Sequence, residues 1–107
     1  KIGTIDILVN NAGIQSRELL KDIKINDWDN VLKTNLTSPF ILSQAIVPDM
    51  IKNKWGRIVH ISSISALDGG PKVEPYGGSP PYAAAKAYLN NYVKSLGREL
   101  AKNNVIF

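Results

Sequence analysis

Residues 5–13 read IDILVNNAG, and this stretch decides the fold class. Ile5-Asp6-Ile7-Leu8-Val9 is a short apolar run, with Gly3 before it and Asn10-Asn11-Ala12-Gly13 after it. A continuous apolar run closed by a turn signal suits a strand buried on both faces, the situation of strands in a parallel sheet. Working outward, a polar connection holding Ser16, Arg17 and Glu18 leads to a helix expected over 26–54. Asn26 is its expected cap, and Asp27 and Asp29 favour the positive N-terminal end. Trp28, Val31, Leu32 and Leu36 recur at helical spacing. Pro39 and Pro48 interrupt the pattern, so kinks are expected there, and Gly56 is expected to end it. A second strand follows at Arg57-Ile58-Val59-His60-Ile61.

Beyond it, residues 64–81 form an 18-residue loop with four Gly and four Pro. A loop of that length inside a compact domain usually serves function. Residues 82–102 read as a second long helix. Ala83, Ala84, Ala85 and Ala87 favour it, and Ala85, Leu89, Tyr92, Val93, Leu96 and Leu100 form its apolar stripe. Asn104-Val105-Ile106-Phe107 begin a third strand. Strands are therefore expected near 5–10, 57–62 and 104–107, all parallel and joined by right-handed helical crossovers in an α/β fold.

The chain has 107 residues, enough for one domain, with 44% hydrophobic and 21% charged residues. That balance excludes disorder. No apolar run has membrane length and no signal-peptide pattern opens the chain. Cys is absent, which excludes disulfides and thiolate chemistry and fits a cytoplasmic location. The net charge of +4 is spread without a basic run, as a solvated surface would be, and no nucleic-acid motif accompanies it. Lys1 stands where a whole protein would have Met, and the last strand stops as it starts. The sequence is therefore expected to be the middle of a longer protein.

Tyr82 and Lys86 are four residues apart at a helix start, which puts both on one face. A free Tyr has a pKa near 10, too high for proton exchange at neutral pH. A neighbouring ammonium favours the phenolate and makes the pair a usable acid and base. Alone, this spacing is more often that of a packed ring beside a surface charge. Ser62-Ser63 lies at the carboxyl end of the second strand, and Asn10-Asn11-Ala12-Gly13 at that of the first. Ligands of open α/β sheets bind at those ends, and a glycine lets the backbone approach closely. Alternation points the two serines to opposite faces. Asn35 precedes Pro39 by four, so its carbonyl lacks the usual helical donor and must find another partner, most simply water. His60 is the single histidine. It shares a strand face with Ser62, but no Gly-x-Ser-x-Gly elbow surrounds either serine, and one His without Cys makes a poor metal site.

Taken in order, Leu8-Val9-Asn10-Asn11-Ala12-Gly13, Asn35, Ile61-Ser62-Ser63 and Tyr82-Ala83-Ala84-Ala85-Lys86 resemble the short-chain dehydrogenases/reductases over nearly the whole chain. The resemblance implies a Rossmann-like, doubly wound, three-layer parallel sheet, of which residues 1–107 would be the central and catalytic part. It implies hydride transfer between NAD or NADP and a small-molecule alcohol or ketone. Tyr82 would exchange the proton. Lys86 would lower the Tyr82 pKa and hold the nicotinamide ribose. Ser63, favoured over Ser62 by the motif, would orient the substrate oxygen. Asn35 would hold a water of a proton relay reaching Lys86. Asn11, Ala12 and Gly13 would line the cofactor together with Tyr82 and Lys86, supported by Asn10 and Asp6. A homodimer or homotetramer built on the two long helices is implied as well.

The Gly-rich phosphate loop and the residue that chooses between NAD and NADP would lie before Lys1, so cofactor choice and substrate are not written in this stretch. The chain by itself is expected to be inactive. Two other readings stay beside this one: a dinucleotide-binding homologue without catalysis, and an α/β serine hydrolase. No membrane, nucleic-acid or metal partner is expected.

Overall fold

The computed structural model describes residues 3–71 and 78–107. Three strands, β1 (Ile7–Asn10), β2 (Gly56–His60) and β3 (Val105–Ile106), pair in parallel in the order β1-β2-β3. Each falls on an expected strand and is shorter than expected. The register sets Leu8 beside Ile58, Asn10 beside His60 and Gly56 beside Val105.

The first crossover is a long helical stretch interrupted before Pro39. Helix α1 (Ile25–Leu32) passes through one π-helical turn (Lys33–Thr37) into α2 (Ser38–Asn53). Pro39 has no N–H for the Asn35 carbonyl, and its ring crowds that carbonyl. The backbone widens into a π-helical turn just before the proline. The Ser38 N–H then donates to the Lys33 carbonyl, and Ser38 Oγ donates to the same oxygen at 2.9 Å. Asn26 is not the cap. The helix opens one residue earlier, at Ile25, and the Asp27 and Trp28 N–H groups donate to the Lys24 carbonyl. Nor does Gly56 close α2. Lys54, at φ 54°, takes the left-handed position, whereas Gly56 opens β2 beneath Met50, where a side chain would overlap the methionine.

The long loop contains a short helix, α3 (Ser65–Asp68), closed by Gly69 at φ 83°. Residues 72–77 of that loop lie outside the described residues. Helix α4 (Pro80–Leu100) starts two residues before Tyr82. Pro80 and Pro81 occupy its first turn, where a missing N–H leaves nothing unsatisfied.

Two right-handed crossovers stepping in one direction put α2 and α4 on the same face of the sheet. Met50, Ile58, Leu100 and Val105 form the core there, with Leu8, Ile46, Val47, Ile51 and Phe107 packed around them. Burying each such aliphatic side chain contributes roughly 1.5–3 kcal/mol. On the opposite face Ile7, Val9, Val59 and Ile106 are exposed. The expected parallel α/β architecture is thus present as a partial domain, with helices over one face of the sheet. Among the described residues no helix is long and apolar enough to cross a membrane.

Candidate active site

The parallel register brings the carboxyl ends of β1 and β2 side by side. The Arg57 N–H donates to the Asp6 carbonyl and the Ile61 N–H to the Asn10 carbonyl, both at 3.0 Å. Two loops therefore leave the sheet together: 11–19 after β1 and 61–71 after β2. Both run beside the first turns of α4, which carry Tyr82 and Lys86.

The turn after β1 is held from the π-helical segment. Asn35, 1% exposed, accepts from the Ile14 N–H at 2.9 Å and donates to the Ile14 carbonyl at 2.6 Å. Its side chain closes a two-bond clamp on a backbone segment 21 residues away. Gly13 is required by this approach. A Cβ there would stand 2.9 Å from Asn35 Oδ1 and 3.7 Å from Lys86 Nζ. The glycine thus makes room for the protein's own side chains. Asn35 and Lys86 converge on the same turn.

Lys86 is 3% exposed, and its ammonium donates to the Ile61 carbonyl at 2.6 Å. Its Nζ stands 5.5 Å from the centre of the Tyr82 ring. Ser62 and Ser63 diverge, as strand alternation requires. Ser62 Oγ donates to the Lys86 carbonyl at 3.3 Å. Ser63 Oγ accepts from the Ser65 N–H at 3.2 Å and, with Tyr82, lines a cavity of about 160 Å³. The structure therefore brings Tyr82, Ser63, Lys86 and Asn35 to one end of the sheet, beside Gly13.

Asn10 Nδ2 lies 3.2 Å from His60 Nδ1. In this placement the Asn10 amide donates to the ring nitrogen. Phe107 stacks on the ring at 5.8 Å and Tyr92 meets it edge-on at 5.5 Å. Burial, and then the Lys86 charge, hold the His60 pKa below its ordinary value, while burial pushes the Tyr92 phenol up. With His60 turned to Asn10 and Ser62 to a helix carbonyl, the histidine–serine pair of a hydrolase does not form. Among the described residues no cluster of three or more His, Cys, Asp or Glu gathers to hold a metal. Asp6 pairs through its carbonyl with the Arg57 N–H at the opposite end of β1, away from the turn it was expected to support, and Asn11, Ala12 and Gly13 are exposed along that turn.

Sequence reasoning missed four participants. Ile14 and Ile61 act through backbone atoms, which leave no mark in residue type. Gln15 and Arg17 line the Tyr82 cavity. The available signal for those two was their place just beyond a strand's carboxyl end, where ligands bind.

Comparison with known proteins bears on this arrangement. The short chain dehydrogenase family model matches residues 1–107. The 3-oxoacyl-(acyl-carrier-protein) reductase of Aquifex aeolicus is 45% identical over 102 residues, covering 95% of this chain and 39% of that protein. The Escherichia coli reductase of the same name is 43% identical over 105 residues, covering 98% of this chain and 41% of that protein. Among solved structures, a gluconate 5-dehydrogenase from Burkholderia cenocepacia in complex with NADP and tartrate superposes with a TM-score of 0.87 at 33% identity. The match covers 98% of this chain and 39% of that one. The chain thus spans about two fifths of the length of the curated relatives it matches.

Proposed function

The chain belongs to the short chain dehydrogenase family, and from that premise we propose that it forms the proton-handling segment of a nicotinamide-dependent oxidoreductase acting on a carbonyl or alcohol. The observation that carries this reading is the convergence of Tyr82 and Ser63 on one cavity, with the Lys86 ammonium within 5.5 Å of the Tyr82 ring. Tyr82 gives its hydroxyl proton to the substrate oxygen on reduction and takes it back on oxidation. Ser63 donates a hydrogen bond to that oxygen and fixes its distance from Tyr82. Lys86 supplies positive charge beside the phenol, and its anchor on the Ile61 carbonyl fixes where that charge sits.

The residues present fit a nicotinamide dinucleotide. Asn11, Ala12 and Gly13 are exposed along one turn, Gly13 lies beside the ammonium, and Lys86 and Tyr82 supply donors for ribose hydroxyls. NAD or NADP, when bound, supplies or accepts the hydride, so the protein's own share is position and proton. Asn35 serves twice in this reading. Its amide holds the Ile14 segment, and its carbonyl, which Pro39 deprives of an i+4 donor, holds a water through which protons pass between Lys86 and solvent.

Gluconate 5-dehydrogenases and acyl-carrier-protein reductases both stand among the similar proteins, which supports carbonyl–alcohol chemistry and leaves the substrate to the cavity. The exposed Phe40, Ile41, Leu42 and Tyr88 on α2 and α4 support a homodimer or homotetramer. A cytoplasmic location fits the reading as well. The test uses the full-length protein, a panel of carbonyl substrates and both cofactors. Tyr82→Phe keeps the ring and removes the proton, and turnover is expected to fall on the order of a hundredfold or more. Wild-type turnover in that variant would refute the assignment of Tyr82.

A further inference from the structure

We propose that Arg17 is a specificity-determining residue that receives the carboxylate of a small hydroxylated keto or hydroxy acid bound beside Tyr82 and Ser63. The proposal rests on the reading of that cavity as the reaction site.

The cavity is polar throughout its described lining. Gln15, Ser63, Ser65, Ser79 and Tyr82 offer an amide and four hydroxyls, and among the described residues Arg17 is the single ionic side chain of the lining. The remaining described wall is glycine and proline, with no Leu, Ile, Val, Met or Phe. An alkyl chain would find little apolar surface among these described residues. It would also strip water from hydroxyls and give nothing back, at about 1–3 kcal/mol for each group left without a partner. A ligand with its own hydroxyls replaces that water group for group. The volume, about 160 Å³, matches roughly five water molecules at ~30 Å³ each, so the ligand is short.

Charge then selects among short polar ligands. A guanidinium presents a planar fork that pairs with both oxygens of a carboxylate. The nearby Asp68 does not cancel it. Asp68 Oδ1 accepts from the Gly70 N–H at 2.8 Å and stays out of the cavity lining. Lys86, the other cation of the site, is buried behind Tyr82 and engaged with the Ile61 carbonyl. Arg17 is also placed by anchored backbone, three residues after Ile14, which the Asn35 clamp holds at both its N–H and its carbonyl. The carboxylate would dock at Arg17 while the reacting carbon faces Tyr82.

The experiment compares, in the full-length protein, reduction of a five- or six-carbon hydroxylated keto acid with reduction of its uncharged primary amide. Wild type is expected to favour the acid in kcat/KM by on the order of fiftyfold, the range of a charge-assisted pair. In Arg17→Gln that preference should collapse toward one, with the loss in KM more than in kcat. Arg17→Lys, keeping charge without the fork, should retain part of it. An acid-to-amide ratio that Arg17→Gln leaves unchanged would overturn the proposal, as would a wild type that does not distinguish the two compounds. A wild type that turns over the pair and a wider carbonyl panel not at all would instead overturn the oxidoreductase reading on which it stands.

Discussion

Replacing Asn35 by Ala isolates the tertiary contact on which the candidate site depends most. The side chain is 1% exposed and makes both of its bonds, at 2.9 and 2.6 Å, to the backbone of Ile14. Ala removes both partners at once and leaves an N–H and a C=O unpaired. An unsatisfied buried polar group costs about 1–3 kcal/mol. The Ile14 side chain is 45% exposed, so water reaches this segment and recovers part of that cost. The expected destabilisation is therefore about 2–4 kcal/mol. Urea unfolding of the full-length protein measures the global part. Native-state hydrogen exchange at the Ile14 amide measures the local part, which should quicken by roughly thirtyfold for each 2 kcal/mol lost to local opening. Asn35→Gln carries the same amide one methylene further into a site with no room for it, and is expected not to restore the clamp. A midpoint change worth less than about 0.5 kcal/mol, with exchange at Ile14 unaltered, would refute the clamp as the holder of this turn.

Two further outcomes follow from the same structure. Because burial and the Lys86 charge depress the His60 pKa, the unfolded chain takes up a proton just below pH ~6.5 while the folded chain stays neutral. The stability contributed is whole above that pH and is lost as the pH falls through the depressed folded value. His60→Asn should flatten the fall of the urea midpoint between pH 7 and pH 5, and a slope equal to wild type would count against it. Light scattering of the full-length protein at micromolar concentration should give a dimer or tetramer, and Leu42→Asp with Tyr88→Asp should shift it toward monomer. A purely monomeric wild type would dismiss the exposed residues of α2 and α4 as an assembly surface.

Much of this molecule was legible in its sequence because the relevant signals are local. An apolar run closed by Asn10-Asn11-Ala12-Gly13 is a strand and its exit, and alternation with long helical stretches commits the chain to parallel pairing. Helical spacing put Tyr82 and Lys86 on one face, and strand alternation separated Ser62 from Ser63. The tertiary structure decided which of several competing bonds each group makes. Asn26 does not cap, the helix widens into a π-helical turn before Pro39, and Gly13 yields space to Asn35. It also decided what meets across long separations: Asn35 with Ile14, Lys86 with the Ile61 carbonyl, and Arg17 with the wall beside Tyr82. Periodicity reports which face of an element is apolar. It carries no record of which backbone atom from another element comes to lie against that face, because that partner is chosen only when the sheet register and the two helices pack together.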